Sequence, residues 1–316
     1  MSHTTRVAVA CQGGGTHTAF SAGAFRELLR HEDDDFEIVA LSGTSGGAMT
    51  AALTWYSLLE GDRQAGVERL AAFWRDVAAT TPSQRFENEL VTATIGLQAR
   101  GAPIPRVAPA QNPYATTAQQ RLREIIERHV DFDAIDDLRS DATPELYVGA
   151  VEIESDDFTL FQSGDITPDA LLASAALPTM FEPVEIDGRE YWDGLLSENP
   201  PIGCLAAEDP EEIWVLQHDP ERRDGATPSS LGEIRDRRNE LAGNVSVDQE
   251  INSIQRINRM IADGDLQSDR YNHIDVHRLM MDREFDYATK FDRSPEFLEQ
   301  LIEYGEEVAS DFLADR

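Results

Sequence analysis

The chain has 316 residues, of which 41% are hydrophobic and 27% are charged, and this composition supports a packed core and excludes wholesale disorder. It carries 59 Asp and Glu residues against 27 Lys and Arg residues, which gives a formal net charge of −32, and Lys290 is its only lysine. A surface this negative repels the phosphate backbone, so we expect no nucleic-acid partner.

Abundant acid with a single lysine is similar to the composition of proteins from extreme halophiles. Self-repulsion of the folded chain is screened by salt, because the Debye length falls from about 30 Å at 0.01 M to about 3 Å at 1 M. The composition therefore predicts a fold that salt stabilises.

The two cysteines and the N-terminal segment indicate a protein without a disulfide framework, a zinc site or a signal peptide. Cys11 and Cys204 lie far apart in apolar contexts without CxxC spacing, so neither a disulfide framework nor a zinc site is indicated, and both are predicted to be core thiols. The N-terminus lacks the basic and apolar regions of a signal peptide, and no apolar run reaches the ~18 residues of a membrane span. We therefore expect a soluble, cytoplasmic protein.

The first sixty residues predict the order strand, helix, strand, helix. Residues 7–11 form a short apolar run that leads into three glycines, and apolar residues at helical spacing follow between Phe20 and Leu29. Residues 36–41 predict a second strand, and a glycine-rich turn leads into a predicted helix over residues 48–59. The chain thus passes twice from a strand directly into a helix, as in α/β proteins.

Residues 80–118 contain five prolines and two glycines, which predict a loop-rich excursion, either a lid or a surface insertion. Helices are predicted over residues 118–130, 168–177, 230–262 (with a break near Gly243-Asn244) and 295–313. Strands are predicted over residues 146–153, 158–161, 184–186, 191–192, 213–216 and 274–280. We predict one α/β domain over residues 1–316, with its core in about residues 6–204 and residues 205–316 as part of it.

Gly43-Thr44-Ser45-Gly46-Gly47 matches the pattern G-x-S-x-G between the second strand and its helix. In this context small residues allow the sharp turn that projects a serine hydroxyl from a sheet edge. The following helix would direct its free N–H groups toward Ser45, which favours an anion there. Ser45 is therefore a candidate nucleophile, and the alternative is a glycine turn with a serine helix cap.

Gly13-Gly14-Gly15 follows the first strand, and its unshielded N–H groups suit either a phosphate cradle or an oxyanion hole. The dinucleotide pattern G-x-G-x-x-G fails because Thr18 occupies its last position. The acidic run at residues 33–35 does not decide the question, because such a run is typical of a solvated turn. A nucleotide-binding α/β protein remains the weaker alternative.

A serine nucleophile needs a base. His218, His273 and His277 follow Ser45 in the order of a conventional triad, but none has a distinctive local context. Asp193 does, because it ends an aromatic strand and precedes a glycine turn. It could accept the serine proton if it is placed and partly desolvated, although its reference pKa of ~3.9 makes it a poor base otherwise.

Three segments together resemble the patatin-like phospholipase family. They are Gly13-Gly14-Gly15, the G-x-S-x-G segment, and ASAALPTMFEPVEIDGREYWDG over residues 173–194. The last is similar to the family's A-S-x-A-x-P-x-x-F-x-P-V stretch and the D-G-G or D-G-A motif that follows it. Residues 112–114 and 241–247 are similar to segments of a bacterial and archaeal branch of the family.

This resemblance implies a three-layer α/β/α fold with a mostly parallel central sheet and a nucleophile elbow. It implies a serine–aspartate dyad of Ser45 and Asp193, with an oxyanion hole of Gly13, Gly14 and Gly15. Gly43, Gly46, Gly47 and Gly194 are then motif residues. It implies a lipid or acyl-ester substrate and peripheral contact with a membrane, but no metal, organic cofactor or transmembrane segment. The particular lipid and the oligomeric state are left open.

Two positions depart from the family pattern. The family continues its glycine loop as G-G-G-x-R-G, whereas His17 and Thr18 occupy the places of the arginine and the last glycine. Leu195 replaces the small third residue of the aspartate motif. The first departure affects the anion contact that the arginine would provide, while Asp193 itself is retained.

Two further alternatives are distinguishable by experiment. His273, Asp275 and His277 would share one face of a strand and could form a metal site, although alternating polar residues on a half-buried strand are the commoner explanation. A non-catalytic lipid- or acyl-group-binding protein on the same fold is the alternative to an enzyme. Substitution of Ser45 distinguishes the binding protein from the enzyme, because lipid binding would persist without Ser45.

Overall fold

The computed structural model describes residues 3–31, 35–105, 107–155, 157–220, 227–228, 230–267 and 270–316. Within these ranges eight strands form one sheet, in the order β5-β6-β3-β2-β1-β7-β8 with β4 paired to β3. The strands are β1 (Thr5–Cys11), β2 (Phe36–Thr44), β3 (Glu145–Glu152), β4 (Phe158–Gln162), β5 (Val184–Ile186), β6 (Arg189–Asp193), β7 (Glu212–Gln217) and β8 (Asp275–Met280). The pairs β3-β2, β2-β1, β1-β7 and β7-β8 are parallel, and the pairs among β3, β4, β5 and β6 are antiparallel.

Helices flank the sheet, and short 3-10 turns at Gly15–Thr18, Gly194–Leu196, Gly203–Glu208 and Tyr287–Phe291 connect several elements. The helices are α1 (Ala19–Arg30), α2 (Gly46–Leu59), α3 (Arg63–Val77), α4 (Pro82–Ala99), α5 (Pro113–His129), α6 (Ile135–Leu138), α7 (Pro168–Ser174), α8 (Leu231–Ala262) and α9 (Pro295–Ala314). The hairpin between β5 and β6 turns at Asp187 and Gly188, as predicted.

The two faces of the sheet contribute to two buried clusters. Alternate residues of β1 enter each: Val7 and Val9 pack with α1, α2, α3 and α9 on one face, while Ala8 and Ala10 pack with α8 and the Gly203–Glu208 turn on the other. This alternation follows from the two-residue period of a strand. The predicted three-layer α/β/α architecture with a mostly parallel sheet is confirmed.

The prediction of a loop-rich excursion over residues 80–118 was wrong for Pro82–Ala99 and for the segment from Pro113 onward, because α4 and α5 occupy them. Pro82 lies in the first turn of α4, where a proline costs no hydrogen bond. Thr81 and Gln84 form a capping box at the same end. The other prolines lie beyond the end of α4, so they delimit the helices and do not interrupt them.

The predicted break in α8 was also wrong, because the helix continues through Gly243 and Asn244. A glycine in a helix interior costs about 1 kcal/mol relative to alanine. Asn244 offsets this cost with bonds outside the helix: its Oδ1 accepts from Gln217 Nε2 at 3.2 Å, and its Nδ2 donates to the Pro220 carbonyl at 3.0 Å. Tertiary contacts therefore hold the helix where local propensity would end it.

Other expectations concern the thiols, the acidic run and membrane spans. Cys11 is fully buried, but Cys204 is only partly buried, which corrects its prediction as a core thiol. Residues 33 and 34 of the acidic run lie outside the described residues. Within the described ranges, none of the helices is both long enough and apolar enough to cross a bilayer.

Candidate active site

Ser45 lies at the junction of β2 and α2. Its backbone angles are φ 56° and ψ −131°, a conformation that costs a non-glycine residue about 1–3 kcal/mol. The Ser45 N–H donates to Ser174 Oγ at 2.9 Å, and that hydroxyl donates to the Gly149 carbonyl at 2.6 Å. The Ser45 carbonyl accepts the Met49 N–H at 3.2 Å, in the first turn of α2. The turn is therefore a strained strand-to-helix junction held by hydrogen bonds, which is the geometry of a nucleophile elbow.

The glycines beside Ser45 are required by close packing of β2 and α2. A Cβ on Gly43 would lie 2.7 Å from the Ala48 backbone, and one on Gly47 would lie 2.4 Å from the Cys11 carbonyl oxygen. Because atoms this close would overlap, a larger residue at either position would displace α2 from the sheet.

Asp193 ends β6 and lies beside the elbow because β2 and β6 both pair with β3. Thr44, the last residue of β2, pairs with Gly149, and Asp193 pairs with the next residue, Ala150. A Cβ on Gly194 would lie 2.4 Å from the Gly149 carbonyl oxygen and 3.1 Å from the Thr44 side chain. The ends of β2 and β6 therefore meet on the same edge of β3, although Ser45 and Asp193 are 148 positions apart in sequence.

The environment of Asp193 sets its protonation. The residue is 1% exposed, and its Oδ1 accepts the Leu195 N–H at 2.9 Å. Burial raises the pKa of Asp193 to about 7, although the Leu195 N–H and the Ser45 hydroxyl both stabilise the charged form. A carboxyl group with this pKa can accept a proton at neutral pH with far more driving force than an exposed aspartate.

The three glycines of the loop after β1 have different roles. The Gly13 N–H donates to Asn199 Oδ1 at 2.6 Å, so this N–H is engaged by the protein. A Cβ on Gly13 would lie 2.8 Å from Ser45 Cβ, which places the loop against the elbow. Within the described part of the chain, no acceptor bonds the N–H of Gly14 or Gly15. Two backbone donors of this loop are therefore not engaged by the described part of the protein.

His17 and Thr18, which depart from the family pattern, both contact the protein itself. Thr18 Oγ1 donates to the Gly15 carbonyl at 2.7 Å and contacts the position where Gly46 would carry a Cβ. The buried His17 ring lies with its Nε2 2.8 Å from Thr289 Oγ1. These residues stabilise the loop between β1 and α1.

His218 packs against the glycine loop. A Cβ on Gly14 would lie 2.0 Å from His218 Cε1, and the buried His218 Nε2 lies 3.2 Å from the Gln12 carbonyl oxygen. Its Nδ1 lies 3.7 Å from Asp219 Oδ1, so both ring nitrogens face groups other than Ser45. Burial opposes ionisation of Asp219, but the Lys290 ammonium at 2.7 Å holds the pKa of that carboxyl well below its usual range.

His273 and His277 lie apart from Ser45, at the β8 edge of the sheet. His273 Nε2 lies 3.0 Å from Asp275 Oδ1, and His277 Nε2 lies 3.6 Å from Glu212 Oε2. These are two separate contacts, in which both histidines are exposed and Glu212 is partly buried. In the ranges that the structure describes, no three His, Cys, Asp or Glu side chains are grouped as a metal site would require.

Sequence reasoning did not assign roles to Ser174 and Asn199. Ser174 lies within the A-S-x-A stretch, which was used only for the family resemblance, and Asn199 precedes a proline six residues after Asp193. At each position the sequence shows only a polar residue in an otherwise apolar or turn segment. That pattern does not reveal which distant residue the side chain contacts.

The comparison with protein families agrees with the motifs. A family model described as patatin-like phospholipase matches residues 9–205. Among solved structures, the chain is similar to VipD from Legionella pneumophila, with 13% identity and a TM-score of 0.45 over 99% of this chain and 67% of that one. It is also similar to the type III effector protein ExoU, with 16% identity and a TM-score of 0.37 over 99% of this chain and 54% of that one. A complex of ExoU with SpcU from Pseudomonas aeruginosa gives 15% identity and a TM-score of 0.34, over 99% and 52% of the two chains. The comparison with curated proteins found no match.

Proposed function

We propose that this chain, which belongs to the patatin-like phospholipase family, cleaves carboxylic esters of lipids through an acyl-enzyme on Ser45. The family is one of lipid hydrolases, and we assign its chemistry in this chain to the pair Ser45 and Asp193. The observation that carries it is the juxtaposition of a strained Ser45 elbow with a buried Asp193 carboxyl whose pKa is raised to about 7.

In the first step Ser45 Oγ attacks the acyl carbonyl carbon and Asp193 accepts the hydroxyl proton. The carboxyl is suited to this because burial has brought its pKa close to neutral pH, where a general base works most efficiently. The Leu195 N–H bond to Oδ1 fixes the orientation of the carboxyl. Transfer of the proton to the leaving alcohol then restores the carboxylate.

The tetrahedral oxyanion is stabilised by backbone donors of the glycine loop. We assign this role to the N–H groups of Gly14 and Gly15, because Asn199 engages that of Gly13. The N-terminus of α2 adds a positive dipole end at the same place. Water then attacks the acyl-enzyme, with Asp193 again accepting a proton, and releases the fatty acid.

Labelling with a fluorophosphonate probe tests the nucleophile and the base together. Ser45→Ala should abolish labelling and hydrolysis of a soluble short-chain ester, and Asp193→Asn should slow both by about a thousandfold, or ~4 kcal/mol. The double variant should be no worse than Ser45→Ala alone, because the two residues act as one unit.

Exposed histidines provide the controls for this test. His273→Ala and His277→Ala should leave turnover within about tenfold of the unmodified chain, or ~1.4 kcal/mol. A nearly active Asp193→Asn variant, together with a thousandfold loss in a folded histidine variant, would replace the dyad with a conventional triad. Persistence of acyl-lipid binding without any Ser45-dependent turnover would instead favour the non-catalytic binding protein.

A further inference from the structure

Helix α4 carries apolar side chains on the face that points away from the protein. Spacing of four, three and four residues places them on one side of the helix. They are Phe86, Leu90, Ala93 and Leu97, all exposed. The opposite side is anchored by the buried Asn88, whose side chain donates to Asp292 Oδ1 and accepts the Arg293 N–H, both at 2.8 Å. α4 therefore has two distinct faces: one packs on the protein through Asn88, and the other is apolar and exposed.

The first half of α8 repeats this arrangement. Its exposed apolar residues follow a helical spacing of three, seven and four: Leu231, Ile234, Leu241 and Val245. The buried face of the same helix is directed elsewhere, with Val247, Ile251 and Ile254 in the core. Beyond Val245 the exposed side carries Gln249, Asn252 and Arg256, so exposed apolar residues are concentrated in the first half of the helix and Met260 near its end stands apart from them.

The two helices adjoin each other, and α8 adjoins the candidate active site. Ser230 Oγ donates to the Ala99 carbonyl, which joins the end of α4 to the start of α8. A Cβ on Gly243 of α8 would lie 3.6 Å from Asn199 Nδ2. Leu196, three residues after Asp193, is also exposed.

We call this set of side chains the apolar rim. Its members are each between 46% and 83% exposed: Phe86, Leu90, Leu97, Leu196, Leu231, Ile234, Leu241 and Val245. Single exposed apolar residues are normal on soluble proteins, but a concentration of them around one site marks a surface that binds an apolar partner.

We propose that the apolar rim docks the protein on an aggregated lipid with neutral or zwitterionic headgroups, from which the substrate enters the site. This proposal rests on the function proposed above, since the site beside the rim would then take a lipid acyl ester. Apolar faces of helices bind lipid surfaces by inserting at the boundary between headgroups and acyl chains.

The charge of the rim helices selects the kind of lipid surface. Residues 82–99 and 231–245 together carry four arginines and five acidic residues, so they are nearly neutral, whereas the whole chain has a net charge of −32. The rim can thus approach a neutral surface without local repulsion, while the field of the whole protein opposes an anionic one.

Vesicle binding tests the rim without catalysis. In a Ser45→Ala background, Leu90, Leu97, Leu231 and Leu241 are all changed to serine, and binding to phosphatidylcholine vesicles is measured by co-sedimentation. We expect the partition coefficient to fall at least about tenfold, because four exposed apolar side chains are lost. Met260→Ser is the matched control, since Met260 is exposed on the same helix but outside the rim, and it should leave binding within about twofold.

A second measurement separates this proposal from the proposed function. With Ser45 present, the fourfold rim variant should hydrolyse a soluble short-chain ester at a normal rate but lose at least about tenfold on an ester presented in vesicles. Unchanged vesicle binding in the rim variant would overturn the proposal. So would stronger binding to vesicles that contain anionic lipid, or a rim-dependent dimer in lipid-free sedimentation. Rim-dependent binding by a chain that hydrolyses neither ester would refute the proposed function and leave the docking surface in place.

Discussion

The side chain of Asn199 binds both backbone polar groups of Gly13. Its Oδ1 accepts the Gly13 N–H at 2.6 Å, and its Nδ2 donates to the Gly13 carbonyl at 3.1 Å. Asn199 is 4% exposed and follows Asp193 in the same connection. This pair therefore joins the segment that carries the proposed base to the loop that carries the proposed oxyanion donors.

We predict that Asn199→Ala lowers both stability and turnover. The buried N–H and carbonyl of Gly13 would lose their partners, which costs about 1–3 kcal/mol in the free energy of unfolding. The loosened loop should lower kcat on a soluble ester at least about tenfold, with little change in KM, because the donors act mainly in the transition state.

Asn258 provides a matched control for that substitution. Its side chain also binds one residue's backbone twice, donating to the Ile274 carbonyl at 2.7 Å and accepting the Ile274 N–H at 3.1 Å. Asn258→Ala should destabilise the fold similarly in urea unfolding but leave kcat unchanged. Equal losses of kcat in both variants would show that Asn199 acts only through stability.

Substitution of Gly14 should be coupled to His218. A Cβ on Gly14 would overlap the His218 ring at 2.0 Å, so Gly14→Ala should destabilise the protein by about 1–3 kcal/mol and slow ester hydrolysis. His218→Ser removes the obstructing ring and should alone keep turnover within about tenfold. The double variant should recover at least ~1 kcal/mol relative to the sum of the two single effects. Strict additivity in this cycle would contradict the packing of His218 on the loop.

Turnover should depend on the protonation of Asp193. Because burial raises its pKa to about 7, the carboxyl is protonated below that pH and cannot accept the Ser45 proton. We expect kcat/KM on a soluble ester to rise about tenfold per pH unit up to this midpoint and to level off above it. The midpoint should persist in His218→Gln. A midpoint near pH 4, or one that disappears with the histidine, would contradict the assignment of Asp193 as the base.

The strain at Ser45 should be measurable as stability. A glycine adopts positive φ angles without the steric cost of a Cβ, whereas alanine retains that cost. We expect Ser45→Gly to be about 1 kcal/mol more stable than Ser45→Ala, since relief of ~1–3 kcal/mol of strain exceeds the entropy cost of a glycine. Thermal melts of the two inactive variants make the comparison. Equal melting temperatures would show that the elbow stores little strain.

Salt should stabilise the fold. With 59 acidic residues against 27 basic ones, the negative charges of the folded protein repel one another. Screening reduces this repulsion as the KCl concentration rises from about 0.1 M to above 1 M. The melting temperature should therefore increase across that range. The control is Na2SO4 against KCl at equal ionic strength, which separates screening from salt exclusion. A flat or falling melting temperature in KCl would remove the prediction and leave the enzyme proposal untouched.

The sequence by itself was sufficient for most secondary structure and for proposing Ser45 and Asp193 as the central residues of the site. Strand and helix periodicity, together with glycine turns, predicted β1, α1, β2 and α2 in the correct order. The G-x-S-x-G pattern placed Ser45 at a strand-to-helix turn, which the structure confirms. These predictions succeed because the signals lie within a few neighbouring residues.

The sequence prediction failed at two helices, for one local and one distant reason. α4 runs unbroken over Pro82–Ala99 because a local capping box starts it, and α8 runs unbroken through Gly243 and Asn244 because side-chain bonds to Gln217 and Pro220 hold it. Rules based on neighbouring residues treat prolines and glycines as helix breakers, whatever packs against them in the fold.

Only the tertiary structure decided which polar groups meet at the site. β3 brings the ends of β2 and β6 to one edge, so Asp193 reaches Ser45, and Asn199 reaches Gly13 across 186 residues. The same packing decided that apolar residues of α4 and α8 lie on the surface and not in the core. These arrangements depend on the order of the strands and on the rotation of each helix about its axis. No local sequence pattern determines either, because an apolar stripe along a helix fits the core and the surface equally well.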